Sequence, residues 1–189
     1  MKRYVPVLAA VLLLAGCTAA PAPSGEQADS TPAAADTASP APTSEPAAAG
    51  PLSKEAAAAA YLDGVCPANI AGETFNDAYD SVVVAGSGAD IAPLQQAAVA
   101  LRDANQQAAV AFSTDDTDWP TEVDGDIDVI AGSYFKDLAD LDRFIQASSA
   151  DEALSINFSP RSDEEKAAGP RVRTLLGLEL DTQASCEGR

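Results

Sequence analysis

The chain has no histidine, one methionine, one tryptophan and three cysteines in 189 residues. Without histidine, Ser-His-Asp and Cys-His catalysis in their usual forms are excluded. So are His-ligated zinc, copper and haem sites. Basic residues are scarce as well: 11 Lys and Arg stand against 29 Asp and Glu, a formal charge of −18. So acidic a chain offers no general field for nucleic acid or anionic lipid headgroups. No GxGxxG, GxxxxGK[ST] or GxSxG motif is present. Gly86-Ser87-Gly88 is only superficially similar to a phosphate loop; it sits between two helical patterns and reads as a turn. The apolar run Val5 to Ala15 is shorter than the ~20 residues a helix needs to cross a ~30 Å hydrocarbon core.

What is present starts at the N-terminus. Lys2 and Arg3 precede that apolar run, the charge order of a secretory signal. The run closes on Leu14-Ala15-Gly16-Cys17, which resembles the bacterial lipobox. That resemblance implies a diacylglyceryl group on the Cys17 thiol and cleavage just before it, so that 1–16 is a lipoprotein signal peptide. Palmitate-type acyl chains then hold the protein on the extracytoplasmic face of the cell membrane, each buried CH₂ contributing ~0.8 kcal/mol. Cleavage removes two basic residues and no acid, so the mature chain is still more acidic.

From Thr18 to Leu52 the chain is almost entirely Ala, Pro, Ser and Thr, with a few acids such as Glu26 and Glu45. It has no aromatic residue and, before Leu52, no large aliphatic one. Such a segment cannot bury enough apolar surface to offset chain ordering. We therefore expect 17–52 to be a lipidated cysteine followed by a disordered linker. A flexible coil of this length spans ~30–35 Å, and its prolines extend it.

Residues 53–189 read as one globular domain. After lipidation two cysteines remain, Cys66 and Cys186; an even pair in an exported protein reads as a disulfide. The alternative, two thiolates on a metal, lacks the other two ligands.

Helical spacing runs through most of this segment. Ser53 is a good N-cap, followed by Glu55 and the run Ala56 to Ala60. Tyr61, Leu62 and Val65 share a face. Pro67 predicts a break or kink, because proline disfavours helix at Cys66 and clashes with the preceding turn. Phe75, Ala78, Tyr79, Val82 and Val83 resume the pattern up to the glycine turn.

Ile91, Leu94, Ala98, Leu101, Asn105, Ala108 and Phe112 alternate steps of three and four, a helical seam with Asp90 as its N-cap. Asn105 is either a buried polar group that fixes pairing or a partly solvated edge residue, the second being favoured. Pro120 then opens a third helix, whose stripe is Val123, Ile127, Ile130, Tyr134, Leu138, Leu141 and Ile145. Ala150 to Phe158 reads as a short helix or an extended segment. Ser162 with Asp163, Glu164 and Glu165 marks another helix start, interrupted at Gly169-Pro170. No run alternates like a strand. The expectation is an all-α fold: a small antiparallel helical bundle closed by one disulfide.

The densest chemical feature is acidic: Asp115, Asp116, Asp118, Glu122, Asp124, Asp126 and Asp128. Carboxylates suit calcium, which takes six to eight oxygens. The EF-hand register fails, because Asp124-Gly125 in its middle puts Pro120 at position 1 and Ala131 at position 12. Asp116, Asp118, Asp124 and Asp126 remain the candidates for a looser cation site. Against it stands the plainer reading, a solvated helix start whose acids complement the dipole. A glycosidase needs two facing carboxylates, and nothing marks two of these acids. Trp119 reads as packing across the bundle end.

The domain also bears a likeness. Tyr61-Leu62, Val65-Cys66-Pro67 and Asn69, the central Trp119-Pro120 and the late Cys186 resemble small lipoproteins of high-GC Gram-positive bacteria. The resemblance implies a disulfide-closed helical domain and carries no assigned activity. The resulting expectation is a non-enzymatic, lipid-anchored envelope protein with no cofactor. It meets the membrane through its lipid and binds an envelope protein or a small ligand. The alternative is a cation or small-ligand binder using 115–128.

Overall fold

The structure, a computed structural model, describes residues 50–189. The signal segment, Cys17 and the linker up to residue 49 lie outside the described residues. Five α-helices follow in order: α1 Lys54–Ala85, α2 Ala92–Ser113, α3 Thr121–Gln146, α4 Ala150–Ser155 and α5 Asp163–Leu176. There is no strand among the described residues.

The ends of α1 and α5 have identifiable causes. The Ser53 side chain accepts from the Ala56 N–H and opens α1. Gly86, with φ 72°, closes it in a backbone region that a side chain disfavours. Ser162 and Glu165 form a full capping box at α5. The α5 helix ends on left-handed Gly177, whose N–H reaches back to Arg173 and Thr174. The residue immediately before α2 is Ile91 rather than Asp90, yet the Asp90 carboxylate still accepts from the Ala92 N–H at 3.0 Å. Pro120 stands just before α3 and ends buried under it.

Two breaks expected from proline do not occur. The α1 helix runs through Pro67 and α5 runs through Gly169-Pro170. An interior proline costs about 3 kcal/mol and removes one backbone hydrogen bond. Both prolines are exposed, as are Asp63 and Lys166, whose carbonyls lose those bonds, so the orphaned groups lie on the solvent side. The residues flanking Pro67, Cys66 and Ala68, are buried and hold the helix in line.

The long helices run back and forth. Tyr61 near the start of α1 stacks on Phe112 at the end of α2, with ring centroids 6.0 Å apart. Gln95 at the start of α2 donates to the carbonyls of Ile145 and Ala147 at the end of α3. The α5 helix lies antiparallel to α3, pairing Glu165 with Lys136 and Arg171 with Asp126. Cys66 and Cys186 form a disulfide, with Cα atoms 5.3 Å apart and a sequence separation of 120. It ties the C-terminal strap, residues 177–189 after α5, to α1.

The core forms two clusters. One gathers Tyr61, Val65, Phe112, Trp119, Ile127 and Val172 around the disulfide. The other gathers Phe75, Leu94, Leu101, Leu141, Phe144 and Ile156. Trp119 packs edge-on to Phe112 at 5.9 Å, across the bundle end as expected. Gly64 permits this packing: a Cβ there would stand 2.4 Å from the Phe112 ring.

Candidate functional site

On α2 the predicted seam is buried from Leu94 to Phe112, and Ile91 at its edge is half-buried. Asn105 belongs to the buried line, only 3% exposed, which corrects its favoured reading as an edge residue. The step from Leu101 to Ala108 carries it inward, and α1 and α3 close over both sides of α2. On α3 the stripe turns by one position. Tyr134, Leu138 and Ile145 are half-buried, while Ser133, Asp137, Asp140 and Phe144 take the inner face. This places polar side chains inside the bundle.

One of them, Asp137, borders a cleft of about 740 Å³. Asn69, Phe75, Leu101, Asn105, Asp137 and Phe158 are among its walls. The short extended stretch after α4 brings Phe158 against Phe75, 5.9 Å between ring centroids, and Arg161 against Asp137. Burial pushes the Asp137 carboxyl above its usual range, and the Arg161 guanidinium opposes that rise. Asp140 shows the reverse. Its carboxylate accepts from the Ser159 backbone N–H at 2.6 Å, which holds it below its usual range, and Arg143 adds a weaker pull. Asp137 and Asp140 therefore fasten the loop that walls the cleft.

One wall atom is left over. The Asn105 Oδ1 is buried and has no hydrogen-bond partner among the described residues. A buried acceptor without a partner costs ~1–3 kcal/mol. The cleft mixes apolar walls (Phe75, Leu101, Phe158) with polar ones, and a concave site with fixed polar groups is a usual form of small-molecule site.

A second cavity, of about 390 Å³, lies beside the first. The two share Asn69, Tyr134, Arg161, Lys166 and Thr182 as walls. The C-terminal strap contributes Thr182 to both. Asn69 also donates weakly to the Cys186 sulfur at 3.8 Å, next to the disulfide.

The acidic stretch is arranged differently. Asp116, Asp118 and Asp124 are exposed. They line a polar pocket of about 560 Å³ with Asp115 and Asp128. Asp126 is turned away from it and pairs with Arg171, whose Nε donates to its carboxylate at 2.9 Å. No group of three or more His, Cys, Asp or Glu side chains among the described residues is placed to hold a metal ion.

Arg161, Arg173, Asp137 and Asp140 carry no weight in a search for motifs. A signal for the two aspartates exists nonetheless: Ile127, Ile130, Ser133, Asp137, Asp140 and Phe144 continue one helical line. Arg173 likewise sits between Val172 and Leu176 on the apolar face of α5.

No protein-family model, curated protein or solved structure matches this chain. Among the described residues no helix is long and apolar enough to cross a membrane.

Proposed function

We propose that the protein is a lipid-anchored receptor of the cell envelope, whose helical domain binds a small ligand without transforming it. On this reading 1–16 is the signal peptide and Cys17 carries the lipid. Residues 18–52 form the tether, and 53–189 is an antiparallel bundle held at the membrane's outer face. The Lys2-Arg3 start and the Leu14-Ala15-Gly16-Cys17 motif support the address.

The binding role rests on one observation, the unpartnered Oδ1 of Asn105 on the wall of a 740 Å³ cleft. A donor on a ligand would satisfy it once the wall side chains part, since the atom is closed off from the empty cleft. In the acidic 115–128 region the carboxylates are exposed or, at Asp126, already paired, and its one buried atom without a partner, the Trp119 Nε1, is a donor and not a ligand for a cation. Of the two carboxylates on the cleft wall, Asp137 is engaged by Arg161 and Glu73 is exposed to solvent, an arrangement that fits a structural role better than an acid–base one.

Mass spectrometry of the chain recovered from its own host's envelope tests both halves. Under denaturing conditions the chain should begin at an acylated Cys17. Under native conditions it should carry a small organic molecule. An unprocessed or unacylated N-terminus would refute the anchor, and a bare domain the receptor role.

A further inference from the structure

The 740 Å³ cleft is balanced in charge, in a chain that is not. Its charged walls are Glu73, Asp137, Arg161 and Lys166, two of each sign, while the whole chain carries −18. Three of the four are engaged: Arg161 with Asp137, and Lys166 with Asp163 at 3.4 Å. Glu73 is exposed, where water and salt screen it. A charged ligand would meet no unscreened counter-charge on these walls, and burying it there unpaired would be costly.

The other polar walls are neutral. Asn69, Asn76 and Gln183 carry carboxamides, and Thr182 and Tyr134 carry hydroxyls. Each of these side chains offers both a donor and an acceptor. Burial raises the Tyr134 hydroxyl above its ordinary range, so it stays a neutral phenol. Asn76, Thr182 and Gln183 are exposed, so a ligand reaches them with the wall as it stands. The closed-off Asn105 oxygen is not needed for this contact.

The apolar part of the cleft includes an aromatic ring fixed at its edge. Phe158 is 38% exposed, yet it stands edge-on to Phe75 and tilted by 33° to Phe144. The chain is fastened on both sides of it. Ile156 is buried, the Ser159 N–H donates to Asp140 at 2.6 Å, and the Lys136 Nζ donates to the Pro160 carbonyl at 2.8 Å. A ring held this way offers its open surface to a ligand with little ordering cost on binding.

We infer that this cleft binds a neutral saccharide, whose hydroxyls pair with the carboxamides of Asn69, Asn76 and Gln183 while the C–H face of a sugar ring lies on Phe158. The inference rests on the receptor reading and names the ligand class of the same cleft. A sugar hydroxyl both donates and accepts, as a carboxamide does, and it needs no counter-charge. The C–H face of the ring is apolar and matches an aromatic surface. A purely apolar ligand would strip water from the carboxamides and leave them unpaired.

The test is calorimetric titration of the full chain with maltose, cellobiose and N,N′-diacetylchitobiose. Succinate and putrescine are the charged competitors. At least one disaccharide should bind saturably, with the same affinity at low and high salt, because no ligand charge is involved. Neither competitor should displace it. Two variants separate site from fold. Phe158→Leu keeps an apolar side chain beside Phe75 and Phe144 but removes the ring. The double change Asn76→Ala and Gln183→Ala alters only exposed side chains and should leave the melting temperature unchanged. Each variant should raise the Kd about tenfold. Saturable binding of none of the disaccharides, displacement by succinate or putrescine, or unchanged binding in the double variant would overturn the inference. If the disaccharides fail and a charged molecule is recovered from the envelope, the inference falls and the receptor reading stands; if they fail and the envelope yields a bare domain, both fall.

Discussion

The outer acidic stretch and the inner polar groups of this domain are built from the same kinds of side chain under opposite conditions. Asp116, Asp118 and Asp124 face solvent, where water and salt screen them and their pairing is worth little. Asp137, Asp140, Asn105 and Arg173 are each at most 6% exposed. There every hydrogen bond made or missed carries weight. The outer region has the greater density of charge; the inner one holds the Asn105 Oδ1 and Arg173 Nη2, while beside the acids only the Trp119 Nε1 is buried without a partner among the described residues. The comparison teaches that a candidate site is marked by unmet bonding capacity at depth rather than by how many charged residues cluster in the sequence.

The comparison breaks first, if it breaks, at the disulfide. The loop model assigns the Cys66–Cys186 bridge, closing 120 residues, about 5 kcal/mol. Reduction should lower the melting temperature sharply. It should also weaken ligand binding, because the strap it anchors carries Thr182 into both cavities. An unchanged melting curve would separate the strap from the interior.

Asp140→Asn is the next largest. It loses a charged acceptor for the Ser159 N–H and should cost about 1–3 kcal/mol at neutral pH. The folded-state carboxyl titrates below its ordinary 3.8, so this stability is present above that value and is lost as pH falls through the lowered one. Denaturant melts of wild type and variant should therefore differ at pH 7 and converge in strong acid. A difference that persists there would show that Asp140 acts through packing alone.

Asn105→Leu sharpens the contrast with the opposite sign. It removes a buried acceptor that has no partner, so the ligand-free domain should gain about 1 kcal/mol while its binding falls. Loss of stability would mean that Asn105 has bonds the cleft conceals. Smallest of all is the outer triple change Asp116→Asn, Asp118→Asn and Asp124→Asn, which should move stability by no more than about 0.5 kcal/mol per site. It should leave binding as it was.

Much of the bundle was legible. The three/four spacing of Leu94, Ala98, Leu101, Ala108 and Phe112 is a packing pattern, and those residues are the core of α2. The cap residues Ser53 and Ser162 act locally and were equally readable. Proline misled, because a local rule about Pro67 and Pro170 takes no account of which side of the helix faces solvent. The site was largely hidden for a related reason. An apolar stripe drawn through Tyr134, Leu138 and Ile145 follows hydrophobicity, while burial follows where α2 and α5 lie. Asp137 and Asp140 are tolerated inside only because Arg161 and Ser159 arrive from a distant loop. Nothing in the sequence singled out Arg173, whose partners are the Glu179 carbonyl and the Ser185 hydroxyl of the folded C-terminal segment.

The most direct measurement compares native masses of two variants purified from the same host envelope, Asn105→Leu and the outer triple variant. The account predicts that the triple variant keeps its small molecule and Asn105→Leu has lost it. Retention by Asn105→Leu with loss from the triple variant would place the site on the acidic surface and contradict the account.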